Sequence, residues 1–411
     1  MPNLDRFRKD MQALAQIGRV PEGGVSRFSL SPADIKGRKL TMGIMESVGL
    51  SVRVDAIGNI RARREGRDPA APIVMMGSHI DSVPNGGDYD GPTGVMGPLE
   101  IVRTLNDQGI ETLHPIEVVV FTDEEGARFR KGTLGSAVMA GRLPWDEVKD
   151  IQDDDGITLT EALKGIQTTG TPEEILLAEG EVKSFVELHV EQSGRLEENS
   201  KAIGIVQAIT GSSHKRVKVF GVADHAGATP MDRRTDALVP AARMVQEIER
   251  IGRRDPKGSL VCTVGIVQVK PGAMNIVPNE VTFTTDVRDT SPATLDAAIG
   301  EIDDMIAAVA LERGVEIDVE NLEYIPAVEM SGEVKSVIAS ACDKLGLDRM
   351  DAYSRAVHDT SHIAQVTSAG MIFVPSVGGK SHSPDELTYW EDIQPGLDVL
   401  YEVTLALAKA D

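Results

Sequence analysis

Four short runs of the chain are apolar with almost no alternation: "APIVMMGS" (71–78), "IEVVVFT" (116–122), "KSFVELHV" (183–190) and "GMIFVPSV" (370–377). A strand with one wet face alternates apolar and polar residues. Runs like these therefore predict parallel strands covered on both faces. Helical patterns lie around them. Leu4, Phe7, Met11, Leu14 and Ile17 recur at helical spacing, and a second helix follows Ser31, an N-cap placed before Pro32 at the first helical position. A third helix is expected over 95–108. Together these predict an α/β domain with a mainly parallel sheet and helices on both faces.

The middle of the chain has a different period. "HKRVKVFGVA" (214–223) and "EVTFTTDVRDT" (280–290) alternate, as antiparallel strands with one wet face do. In the second of these, Val281, Phe283 and Val287 share one face, which puts Arg288 on the opposite, polar one. Helical stretches cover 235–253 and 291–314. The expectation is an inserted α+β domain at 209–327, with 1–208 and 328–411 forming the α/β domain.

All four apolar runs end in residues that bind metals. The first leads into "GSHIDSVPNGGDYDG", with His79, Asp81, Asp88 and Asp90; the second into Asp123, Glu124 and Glu125. The third carries Glu187, His189, Glu191 and Gln192, and the fourth is followed by His382, Asp385 and Glu386. Functional groups of open α/β sheets gather beyond the carboxyl ends of the strands. One histidine after a strand is more often a hydrogen-bonded loop residue, and one "DEE" a solvated corner. Four such motifs at equivalent topological positions point instead to a metal centre. Imidazole with carboxylate is the ligand set of zinc and neighbouring divalent ions. Three histidines and at least two carboxylates exceed what one catalytic zinc with an open position takes. They suit two ions about 3.5–4 Å apart that share a bridging carboxylate. The glycines after His79 would let the chain fold back so that His79 and Asp90 face one site. In a strand-end turn both Glu124 and Glu125 can approach that site, one as ligand and the other as a proton carrier.

Charge and cysteine content narrow the class. The 411 residues carry 42 lysines and arginines against 64 aspartates and glutamates, a formal charge of −22. Such a surface repels nucleic acid and anionic membranes, and an anionic substrate would need a locally basic pocket. The two cysteines, Cys262 and Cys342, read as reduced buried thiols. The charged N-terminal stretch has no signal-peptide core, and no run approaches the roughly 20 apolar residues of a membrane span. A soluble, cytoplasmic protein is expected.

These motifs together resemble the binuclear-metal amidohydrolases that include N-carbamoyl-L-amino-acid hydrolases, allantoate amidohydrolases and β-ureidopropionases, within the aminoacylase- and carboxypeptidase-like metallohydrolases. The likeness runs through "GGVSR", "GSHIDSVPNGGDYDG", "FTDEEGARF", "LGS", "ELHVEQ", "HAGATPM", "NIVPNEVTFTTDVRD" and "MIFVPSVGGKSHSPDE", so it covers nearly the whole chain. It implies metal ligands His79, Asp90, Glu125, His189 and His382, with Asp90 bridging two divalent ions per subunit (Zn2+, or Mn2+ or Co2+). Glu124 would be general base and then general acid, and Asp81 would orient His79 from behind. His225 resembles a histidine that reaches across a homodimer interface to the oxyanion. Asn275 and Arg288 match a pair that holds the substrate carboxylate, and Gln192 is a further substrate contact. The inserted domain would act as lid and dimerisation domain, closing on substrate.

The resemblance implies cleavage of the C–N amide bond of an N-carbamoyl-L-amino acid, or a related ureido acid, to amino acid, CO2 and ammonia. Allantoate, another N-acyl amino acid or a dipeptide are the alternatives, and a non-catalytic metal-binding protein is the rival from another class. Three stretches depart from the family pattern: Ser193-Gly194, Ser212-Ser213 and "SRAVHDT" with Arg355 and Val357 in place of glycines. All three fall where the pocket wall is expected, so they bear on the substrate and leave the ligands untouched.

Overall fold

The computed structural model describes residues 1–254 and 259–409. Its contacts divide the chain into two compact units, Met1–Gln207 with Met330–Asp411, and Ala208–Glu329. Strands of the first unit are β1 (Ser51–Val54), β2 (Ile60–Arg64), β3 (Ile73–His79), β4 (Ile116–Phe121), β5 (Val182–Val190) and β6 (Ile203–Ile209), then β13 (Arg349–Ser354) and β14 (Ser368–Val374). The numbers between belong to the second unit.

Across the first sheet the order is β1-β2-β4-β3-β5-β14-β6, with β13 on β6. The four central strands, β4, β3, β5 and β14, are the four apolar runs, and they pair in parallel. Antiparallel strands flank them, β2 on β4 and β6 on β14. Successive side chains of a strand point to opposite faces, and here both faces are covered. Val74 and Met76 join a core with the helices Leu4–Ala15, Pro92–Asp107, Gly332–Leu345 and Trp390–Leu407. Ile73 and Met75 join a second core built around the helix Leu134–Met139 and the segment that follows it. Each buried aliphatic side chain contributes about 1.5–3 kcal/mol, so this frame is stiff where the four strands end.

Local signals act as expected at the helix starts. Ser31 accepts the Asp34 N–H ahead of the helix Pro32–Ser47. The first helix stops at Ala15, short of Ile17, because the chain turns at Gly18 with φ +90°. The buried Arg27 then donates to the carbonyls of Leu14, Ile17 and Ile80, which pins this turn to the end of β3.

In the second unit, β7 (Gly211–Phe220), β8 (Val261–Thr263), β9 (Val267–Lys270), β10 (Glu280–Asp289) and β11 (Glu316–Ile325) form an antiparallel sheet; the short β12 (Val328–Glu329) pairs β6. Val217, Val219, Val281, Phe283 and Val287 pack under the helices Leu238–Arg253 and Pro292–Arg313. Alternation revealed β7 and β10 and missed the others. β8 and β9 are three and four residues long and mostly exposed, and β11 carries polar side chains on both faces.

His362, in the short helix Thr360–Ile363, places Nε2 2.8 Å from Thr133 Oγ1. Burial pushes its imidazole down from 6.5 to about 4. The unfolded chain therefore takes up this proton first as the pH falls. The stability His362 lends is complete above about pH 6.5 and declines as the pH drops toward 4. Replacing it with glutamine should shrink the fall in melting temperature between about pH 7.5 and about pH 5. An unchanged fall would show that His362 does not carry this titration.

Candidate metal centre

His79 is the last residue of β3, and its Nδ1 lies 3.1 Å from the Asp81 carbonyl oxygen. His189, near the end of β5, has Nδ1 2.8 Å from the Val190 carbonyl oxygen. A carbonyl can only accept, so both rings donate from Nδ1 and turn the bare lone pair of Nε2 the other way. Both lone pairs face Asp90. Its Oδ1 is 3.6 Å from His79 Nε2 and 3.2 Å from His189 Nε2. Its Oδ2 is 3.3 Å from His382 Nε2, which also stands 3.3 Å from Glu125 Oε2. Two donor sets thus share Asp90: His79–Asp90–His189 and Asp90–Glu125–His382, each with its ligand atoms within 4.8 Å of one another. His189 Nε2 is buried with no hydrogen-bond partner. Paired imidazole lone pairs around one carboxylate form a donor set that fits divalent cations.

Glu124 takes the other side of the turn, with Oε2 3.6 Å from His79 Nε2. The two adjacent glutamates therefore splay, Glu124 to His79 and Glu125 to His382. The turn is held from below by Asp81, whose carboxylate accepts the N–H groups of Glu124 (3.3 Å) and Glu125 (3.2 Å). Asp81 thus braces the glutamate turn as well as lying under His79.

Burial and mutual repulsion set the charges. Burial pushes Glu124 well above the ordinary carboxylate value, and Glu125 adds to it. Burial and Asp90 push Glu125 up to about 7. Asp90 goes the other way: burial opposes its charge, but the surrounding imidazoles of His189, His382 and His79 hold it well below the usual range. The same carboxylate raises His382 to about 9.

The glycines near Asp90 are required by contact. A Cβ on Gly91, whose φ is +79°, would stand 2.4 Å from the His79 ring, and one on Gly87 would stand 2.2 Å from the Glu386 carboxylate. Glu386 accepts the N–H groups of Tyr89 (2.8 Å) and Asp90 (3.1 Å), and Ser381 donates to it at 2.9 Å. Glu386 is buried. It was visible in the sequence only as one more carboxylate after the fourth strand; its role as the brace of Asp90 needed the fold. Asp385, beside it, pairs with Lys380.

A third layer lies under His189. Glu187 accepts hydroxyls from Ser78 and Thr360, and the His358 ring packs edge-on 4.6 Å from His189 while its Nε2 meets Ser354 Oγ at 2.8 Å. Asp359 accepts from Ser136 Oγ. Gln192 donates from Nε2 to Asp90 Oδ2 at 2.6 Å, joined there by Ser381 Oγ at 2.9 Å. His114 is tied to the Pro72 carbonyl.

The remaining residues singled out in the sequence lie in the second unit. His225 is exposed, and its Nδ1 accepts the N–H groups of Gly227 (3.0 Å) and Ala228 (3.1 Å). That cap on its own turn puts the proton of the neutral ring on Nε2. Asn275 is exposed in the same loop system, its carbonyl accepting from Ala226. Arg288 stands on the polar face of β10 and binds Asp286 through Nε (2.8 Å) and Nη2 (3.0 Å); His214 meets the same carboxylate at 3.3 Å.

Residues 75–406 match the profile of "Peptidase family M20/M25/M40". The chain belongs to this family. An N-carbamoyl-L-amino acid amidohydrolase of Geobacillus stearothermophilus is 41% identical to it over 99% of both chains. Allantoate amidohydrolase of Escherichia coli strain K12 is 34% identical over 96% of both. Among solved structures, an amidase of the hydantoinase/carbamoylase family from Burkholderia multivorans superposes with a TM-score of 0.88 at 37% identity, covering 99% of this chain and 98% of the other. The M20 chain is a metal-dependent hydrolase, and its mainly parallel α/β fold is that of its relatives. Among the described residues of this M20 chain, no helix is long and apolar enough to cross a membrane.

Replacing Glu386 with alanine leaves the Tyr89 and Asp90 N–H groups without their acceptor. Outer residues of this kind typically contribute 10–100-fold in metal affinity. Chelator competition with Mn2+ should show a loss of about that size in Glu386→Ala; unchanged affinity would mean that the brace is not needed to aim Asp90.

Proposed function

We propose that this M20 enzyme hydrolyses the C–N amide bond of an N-carbamoyl-L-amino acid or a close ureido acid, giving the amino acid, CO2 and ammonia. The observation that carries this reading is the splayed Glu124–Glu125 pair beside Asp90, in a chain 41% identical end to end to an N-carbamoyl-L-amino acid amidohydrolase. His79, Asp90 and His189 would hold one divalent ion, and Asp90, Glu125 and His382 a second, as Zn2+, Mn2+ or Co2+. When bound, such ions polarise the scissile carbonyl and make water acidic.

The chain's own residues do the rest. Glu124 takes a proton from the attacking water and hands it to the departing nitrogen. Burial, which raises its affinity for a proton, helps the first step, and the nitrogen's greater basicity drives the second. His225 offers its Nε2–H to the developing oxyanion. Asn275 and Arg288 hold the substrate carboxylate, Arg288 with its fork pre-set by Asp286. Gln192 steadies Asp90 and meets the substrate. The segment 209–327 serves as lid and dimerisation domain of a cytoplasmic homodimer, with a small carboxylate as the only other partner.

Two experiments test this. Glu124→Gln keeps the shape but not the base, so kcat for ammonia release from N-carbamoyl-L-amino acids should fall by at least about 10²–10⁴-fold with metal content retained. Normal turnover would remove Glu124 from its role. Mixing Glu124→Gln with His225→Ala tests the shared site: if His225 serves the partner's centre, two inactive proteins should regain activity as heterodimers. No recovery after verified subunit exchange would place His225 and Glu124 in the same chain's site.

A further inference from the structure

A cavity of about 620 Å³ in the first unit opens against the metal centre, lined at that end by Gln192 and His382. Arg195, Tyr353 and Arg355 line the same cavity. The volume is that of a small-molecule site, and Gln192 and His382 belong to both places, so a substituent of a molecule held at the centre has this cavity to enter.

The charge of its lining is what singles it out. Among the described residues neither the Arg195 nor the Arg355 guanidinium forms an ion pair or hydrogen bond. Lys380 pairs with Asp385, and Glu191, on the cavity wall, accepts from Ser193 Oγ and the Leu196 N–H while the Arg195 charge favours its ionised form. The Arg355 guanidinium therefore remains unmatched, and Arg195 is answered only at longer range by the Glu191 carboxylate, in one pocket of a chain of formal charge −22. Most of the other arginines find carboxylates within reach, as at Arg6, Arg19, Arg38 and Arg61. Guanidinium forks suit carboxylates, which they bind in bidentate fashion, and the exposed Tyr353 beside them adds a hydroxyl.

We infer that this cavity receives the substrate's side chain and that Arg355 and Arg195 select one ending in a second carboxylate, so that the preferred substrates are N-carbamoyl derivatives of dicarboxylic amino acids. The inference rests on the proposed hydrolysis of N-carbamoyl-L-amino acids and specifies its substrate. Arg355 and Arg195 are specificity residues and take no part in bond cleavage.

N-carbamoyl-L-glutamate and N-carbamoyl-L-glutamine have nearly the same shape and differ in charge, so their kcat/KM ratio on the metal-loaded enzyme reads the charge preference directly. The wild type should favour the glutamate compound by about tenfold or more. Arg355→Ala and Arg195→Ala should each lower that ratio by about tenfold, mainly through KM, and Arg355→Glu should invert it. Calorimetric binding of the two compounds to Glu124→Gln enzyme, with and without Arg355→Ala, supplies a readout independent of turnover. Turnover of both compounds with a ratio near one, or a ratio unmoved by the arginine variants, would overturn the inference and leave the proposed reaction standing. No turnover of any N-carbamoyl amino acid, together with tighter binding of the glutamate compound that needs Arg355, would overturn the reaction and keep the acidic pocket. Equal binding of both compounds without turnover would overturn both.

Discussion

One carboxylate organises the first unit. Asp90 is buried, and a buried charge is costly unless it is matched. Three imidazoles, the Gln192 amide and the Ser381 hydroxyl all meet its two oxygens, and Glu386 takes up the backbone behind it. These groups arrive from three segments of chain: His79 from the end of β3, His189 and Gln192 from the end of β5, and Ser381, His382 and Glu386 from the loop after β14. The position of Asp90 therefore ties together the ends of β3, β5 and β14, and an error in any one of them would leave the carboxylate short of a partner.

Holding so many polar groups at the strand ends strains the backbone there. Asp123, Gln192 and His382 all lie in the left-handed region, with φ of +55°, +58° and +53°. Non-glycine residues held this way cost of order 1–3 kcal/mol each. They follow β4, β5 and β14, whose packed interiors supply the stability that offsets the cost. Gln192, two residues past β5, and His382, eight residues past β14, both turn back to Asp90. The Asp81 carboxylate, bonded to two successive N–H groups, shows how such a turn is held.

The unit is layered in its polarity. Nearest to Asp90 stand imidazoles and carboxylates. Behind them Ser78, Thr360, Ser136 and Ser354 donate or share hydroxyls with Glu187, Asp359 and His358. Hydroxyls can satisfy a buried carboxylate without adding a charge. They keep these groups in place without adding charge beneath the imidazoles and carboxylates around Asp90.

Hydrophobic period alone determined the frame. The four unalternating runs became the four parallel central strands, because only a strand buried on both faces can dispense with polar residues. The ligand types at the strand ends followed from that frame, since parallel strands deliver their carboxyl ends to one edge. What the order of residues could not decide was which carboxylates do what. Glu386 and Asp385 are neighbours of the same type, yet one is buried under Asp90 and the other pairs with a lysine. Glu187 sits among ligand types in "ELHVEQ" and is taken up by hydroxyls instead. The same holds for β8 and β9, too short for their period to stand out, for β11, whose register shifts after Asn321, and for Arg195 and Arg355, which share a cavity although 160 positions separate them along the chain. Periodicity records which faces are buried; partners are chosen by distances in space, and those exist only once the chain has folded.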